Sequence, residues 1–411
     1  MNKRKIVALL LCASLIFSGG CSLIDIDQEK ADAIDNAKVL AEYKDADITK
    51  GEVVKYMTES LSQQGMTLEY VESDETYWEP YKEDTIKQLA INELALEKAT
   101  ELGLDKLTED DTADIDEQYN STMDSIKSYA EFTAQSAADS DDTLNYDEEY
   151  EKAMNDYFDA IGYTADTLRA QIEREFILNK VYEYFIKDIA VTDEEVKSSY
   201  DSNVSIQQGN IENDPSFFEM QASFGGRSLV YPEGYMKVRH IFLKFDDETK
   251  SSAAAAYGED DTAKYDELIG KGKAALQTKI DDIQSRIAAG EDFTTLMDEY
   301  NEDTAYSYEP SKTEGTVTGP YKKSDIPGYL DAVATLTTAG QVSEPVVNYN
   351  GVYFIQSVKL LAGVVPFEDV KDDIKSEMLA GKKQDEWTTV TNGWVDAAKE
   401  AGTLKMFPER Y

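Results

Sequence analysis

The ten residues from Met236, MKVRHIFLKF, constrain this chain more than any other stretch. Val238, His240 and Phe242 alternate with Arg239, Ile241 and Leu243, the period-2 pattern of a strand covered on both faces. The chain's only histidine, His240, stands in it. The period then changes. From Lys264 to Ala289 the residues Leu268, Ala275, Leu276, Ile280, Ile283 and Ile287 keep helical spacing, which predicts one long amphipathic helix stopped by Gly290. A short helix follows over 293–300, then a polar loop. The segment closes on PVV-NYNG-VYFIQSV, in which Asn-Gly between β-branched runs predicts a hairpin.

Three stretches in this order, VRHIFLKF, AAGEDFTTLMDEYNED and GQVSEPVVNYNGVYFIQSV, resemble the parvulin family of peptidyl-prolyl isomerases. The resemblance spans residues 236–360 and implies a small antiparallel sheet with surrounding helices. It also implies site residues. The family's first active-site histidine falls on His240, its acidic or cysteine position on Asp303, and its second histidine on Tyr353. The proline-cradling positions fall on Val317, Ile326 and Tyr329. Asn348 takes the place of the threonine that supports the second histidine, and is counted with the substrate-binding residues. Tyrosine keeps a donor and an acceptor but lacks the second ring nitrogen of imidazole.

Rotation about an X-Pro bond must cross a barrier of roughly 18–20 kcal/mol set by amide resonance. It needs no nucleophile, metal or cofactor. An apolar slot for the ring and polar groups placed where charge shifts are sufficient parts. With one histidine and scattered carboxylates, the sequence gives no metal-ligand spacing above chance.

Composition excludes other partners. Among 411 residues, 82 Asp and Glu outnumber 40 Lys and Arg, a formal charge of −42. Nucleic acid is disfavoured by Coulomb repulsion alone. The first loop of the parvulin-like segment, DDETKSSAAAAYGEDD, carries Lys250 as its one cation, which argues against a phosphate-directed isomerase.

Lys3, Arg4 and Lys5 precede an apolar run from Ile6 to Phe17, and Ser18-Gly19-Gly20-Cys21 ends it. This predicts a signal peptide over 1–20 with lipidation of Cys21. Loss of Cys12 with the leader would leave one cysteine and no internal disulfide. Residues 21–38 are polar and read as a tether.

The remainder is read as helical. Val39–Tyr43 suggests a short strand, and Thr49 with Glu52 a capping box. A helix is expected from Pro80 to Leu102, closed by Gly103. Residues 105–160 are acidic with little periodicity, and both loosely packed helix and partial disorder stay open. An apolar stripe from Leu168 to Phe185 predicts a helix; a second capping box at Thr192 and Glu195 opens another, ending near Tyr200. Residues 202–235 read as a linker. After 361, Val370, Ile374 and Met378 start a stripe that Gly381 interrupts and Trp387, Val390 and Trp394 resume.

The expected division is therefore a leader (1–20), a tether (21–38), an N-terminal helical segment (39–235), a parvulin-like unit (236–360) and a C-terminal segment (361–411) packing on the first helical one. This α+β layout, a helical chaperone module with an inserted isomerase, resembles the PrsA- and SurA-type extracytoplasmic foldases. The resemblance implies unfolded secreted polypeptides as partners and a lipid-anchored place on the outer face of a Gram-positive membrane. A holdase whose parvulin unit has lost catalysis is the alternative, motivated by Tyr353. A solute-binding lipoprotein is a third reading, motivated by the anchor.

Overall fold

A computed structural model describes residues 33–140 and 143–411 of the chain. The expected leader and Cys21 lie outside the described residues. The fold is α+β, mainly helical with two small antiparallel sheets. Contacts divide it into two compact units, one running to Ala190 and resuming from Leu379 to Tyr411, the other Val191–Met378.

In the first unit Val39–Tyr43 is the central strand, paired antiparallel with Ala46–Thr49 on one edge and Leu404–Met406 on the other. N- and C-terminal segments thus share one sheet and one core, in which Leu40, Met57, Ile86, Leu94, Val395 and Leu404 meet. The helix Lys50–Gln63 opens on the expected capping box. Glu52 N–H donates to the Thr49 hydroxyl at 3.3 Å, and Thr49 N–H donates to the Glu52 carboxylate at 2.8 Å. The helix Glu75–Leu102 ends at Gly103, whose φ of 69° is open to glycine without strain.

The acidic stretch left open above is helical in its described residues, as Glu109–Ser140 and Tyr146–Ile161. Thr108 and Asp111 exchange backbone N–H bonds at 3.0 and 3.1 Å, a capping pair that uses Asp in place of Glu. Widely spaced residues form the packed stripe. Ile115, Ile126, Tyr157 and Ile161 gather with Leu168 and Ile172.

The second unit holds a four-stranded antiparallel sheet in the order Thr316–Thr318, Val230–Lys244, Gly351–Val364, Val346–Asn348. The period-2 alternation splits its faces. Ile241, Leu243, Val352 and Phe354 face the helices Gln277–Ala288 and Phe293–Tyr300, packing on Ile280, Ile283, Phe293 and Leu296. Met236, Val238, Tyr353 and Ile355 face the other way, onto Tyr329, Val333 and Leu336.

Several elements depart from the sequence reading. The stretch read as a loop after the first strand forms the helix Asp247–Gly258, because Asp246 caps its start and an alanine run favours helix. The helix expected as one piece from Lys264 is two, Thr262–Ala275 and Gln277–Ala288, divided at Leu276. The stretch read as a linker carries the end of the helix Asp193–Asn213, the short helix Phe217–Ser223 and the start of the long strand. The boundary between units accordingly falls at Val191, not at 236. Within the second unit, the Gln207 carboxamide accepts from Leu229 N–H and Val230 N–H, and the Tyr200 hydroxyl donates to the Val365 carbonyl.

The C-terminal helix runs unbroken from Phe367 to Glu400, through Gly381. A helical glycine costs about 1 kcal/mol relative to alanine. Each buried aliphatic side chain returns about 1.5–3 kcal/mol, and the helix buries Ile374 and Val395 among others.

Candidate active site

His240 projects from the middle of the strand Val230–Lys244 onto the face opposite Ile241, and is only 2% exposed. Both ring nitrogens have partners. Nε2 lies 3.0 Å from the Asp303 carboxylate and Nδ1 lies 3.0 Å from the Tyr329 hydroxyl. Three tyrosine rings surround the imidazole: Tyr306 at 4.1 Å between centroids, Tyr353 edge-on at 5.3 Å and Tyr329 edge-on at 5.7 Å.

Asp303 reaches His240 because the loop that follows the helix Phe293–Tyr300 is fastened to the strand. Asn301 Oδ1 accepts from Phe242 N–H at 2.9 Å, and Glu302 N–H donates to the Phe242 carbonyl at 2.9 Å. The second carboxylate oxygen of Asp303 accepts from Ala305 N–H at 2.9 Å. The hydrogen bond from His240 holds the Asp303 carboxyl below its ordinary value, against a smaller opposing effect of burial. With its side chain 30% exposed, Asp303 is far more open to solvent than the imidazole it binds.

The residues aligned with the isomerase site do not all meet. Ile326 packs beside Tyr329, Tyr353 and Met236. Val317 faces away, against Phe218, Tyr235 and Leu361. Antiparallel register explains this: Thr316 pairs with Val238 and Thr318 with Met236, so these threonines share the face of His240 and Val317 takes the opposite one. Asn348 is fully buried but works in the hairpin, donating to the Pro327 carbonyl at 3.2 Å and accepting from Asn350 N–H at 2.9 Å.

Tyr353 and Tyr329 exchange the parts expected of them. The Tyr353 ring stacks on Phe242 at 4.4 Å and meets the imidazole edge-on, so it lends the site a ring. Tyr329, expected only to cradle substrate, brings its hydroxyl to the imidazole. Burial pushes both phenols above their ordinary value, so both stay protonated across the neutral range. Tyr306 was missed altogether. It sits just past the YNED word, on the short 3-10 turn Thr304–Tyr306, and no spacing rule ties such a turn to a strand sixty residues earlier.

Curated relatives can be compared with this geometry. A Foldase protein PrsA from Clostridium acetobutylicum is 23% identical over 405 residues, which is 97% of this chain and 96% of the relative. The chain resembles this PrsA foldase along nearly its whole length. The PrsA of Caldanaerobacter subterraneus subsp. tengcongensis is 26% identical over 247 residues, 60% of this chain and 58% of that PrsA. Among solved structures, a foldase protein PrsA from Streptococcus pneumoniae covers 86% of this chain and 91% of its own at 14% identity and a TM-score of 0.29, too low a score to compare the two folds. No protein-family profile matches the chain.

Proposed function

We propose that this protein is an extracytoplasmic foldase whose second unit isomerises X-Pro bonds in unfolded secreted polypeptides. The observation that carries the reading is the buried His240 bonded to the solvent-reached carboxylate of Asp303, beside the partly exposed Ile326. A planar amide places partial negative charge on its carbonyl oxygen, and twisting the bond returns that charge toward nitrogen. An ionised carboxylate next to the oxygen therefore raises the planar state relative to the twisted one, while Ile326 offers the ring an apolar contact. His240, Asp303 and Tyr329 are the polar members of this site. Ile326 and Tyr353 are its apolar lining.

Similarity to a curated foldase along nearly the full length of both supports the client class, which is unfolded polypeptide. We infer the remaining features from the sequence: a leader over 1–20, lipidation at Cys21, a tether to about residue 38, and residence on the outer face of the cell membrane. No helix among the described residues is long and apolar enough to cross a membrane. The surplus of 82 acids over 40 bases makes nucleic acid an unfavourable partner.

A protease-coupled assay on an Ala-Pro peptide tests the isomerase. Turnover above the uncatalysed rate is expected, and Asp303→Asn, which keeps the side chain's shape, should lower it about tenfold. A second reading, a holdase with an inert parvulin-like unit, is favoured by Tyr353 standing where the family has its second histidine and meeting the imidazole only edge-on. Background turnover together with intact suppression of client aggregation would leave only the holdase.

A further inference from the structure

We propose that Tyr329 is a positioning residue, whose hydroxyl fixes the imidazole of His240 in the tautomer that directs a ring N–H at Asp303. Its effect on turnover rests on the isomerase reading, whereas its effect on the imidazole does not.

A neutral imidazole has one donor nitrogen and one acceptor nitrogen. The Asp303 carboxyl is held ionised by its bond to His240 and can only accept, so Nε2 carries the proton. Nδ1 is then an acceptor, 98% enclosed with the rest of the residue, and needs a donor. Tyr329 supplies it at 3.0 Å.

The other two phenols meet the imidazole with their rings, Tyr353 edge-on and Tyr306 tilted against it, and the Tyr306 hydroxyl bonds Thr316. Tyr329 has a single proton to give, and an imidazole nitrogen is a better acceptor than a phenol oxygen. The proton therefore goes to His240. The result is a directed chain, phenol to imidazole to carboxylate, in which each bond polarises the next. Asp303 is the one carboxylate in contact with the ring, and the one member of this chain substantially open to solvent. With both nitrogens occupied inside the protein, His240 acts on a substrate through Asp303. The hydroxyl at 329 thus performs the orienting task, while Tyr353 gives the imidazole its ring edge.

The chain's single histidine makes the test clean. Full-length protein labelled with 15N-histidine is examined at pH 8, alongside Tyr329→Phe and Tyr353→Phe. In the wild type Nε2 should show the protonated-ring signature and Nδ1 the unprotonated one. Tyr329→Phe keeps the ring but loses the donor, so both signals should move toward the average of two tautomers; in Tyr353→Phe they should stay in place. In the Ala-Pro assay, Tyr329→Phe should lower kcat about tenfold with KM unchanged. A wild-type signal with the proton on Nδ1, or ring signals unmoved by Tyr329→Phe, would overturn the proposal. If the wild type is inactive but shows the expected ring signals, the isomerase reading fails and the positioning of His240 stands.

Discussion

At the scale of single residues, the site turns on where two phenol hydroxyls go. Tyr329 and Tyr353 lie on different elements, a short helix and the long second strand, and both rings touch His240. Only Tyr329 turns its oxygen to the imidazole. Asp303 is the titrating partner. Its folded pKa lies below the unfolded one, since the carboxylate form is the one His240 bonds. Its contribution to stability is therefore complete above the unfolded value near 4 and is lost as pH falls through the lower folded value. The difference in melting temperature between wild type and Asp303→Asn should accordingly be largest near neutral pH and shrink below about pH 4. A difference that stays constant from pH 7 to pH 3 would mean that folding does not hold the Asp303 carboxyl below its unfolded value.

At the scale of elements, helix starts were the most legible features. Thr49 with Glu52 and Thr192 with Glu195 form the reciprocal bonds that their spacing suggests. The reason is local: a cap is satisfied within four residues. Thr192→Ala removes the acceptor for Glu195 N–H and should destabilise the second unit by about 1 kcal/mol in urea unfolding, with the slope unchanged. The Asn-Gly hairpin was legible for the same reason. What the turn residues did not reveal is how closely Gly351 meets the neighbouring strand, where a Cβ would lie 2.1 Å from the Leu243 carbonyl oxygen. Less legible were elements whose pattern is weak. The helices Glu109–Ser140 and Asp247–Gly258 bury alanine where a stronger stripe would bury leucine, and alanine leaves little periodic signal. Val317 failed for a different reason: a one-residue shift in a three-residue strand reverses its face.

At the scale of the whole molecule, charge is the dominant property. With a formal charge of −42, carboxylates repel one another across the surface, and the 40 bases neutralise fewer than half of them. Raising NaCl from 10 mM to 0.5 M shortens the screening length to a few ångström and should raise the melting temperature. A melting temperature that falls with salt would mean that ion pairs such as Arg286 with Glu291 and Glu299 outweigh the net repulsion.

The sequence by itself determined the helix caps, the hairpin, the strand that carries His240 and the acid that meets it, because each is written in neighbouring residues or in a word dense enough to be specific. Tertiary structure alone decided that Tyr329 and not Tyr353 speaks to the imidazole, that Tyr306 lies tilted against it, and that Val317 faces elsewhere. Those outcomes depend on register and on the direction of a hydroxyl, and both are set by packing between segments far apart in the chain.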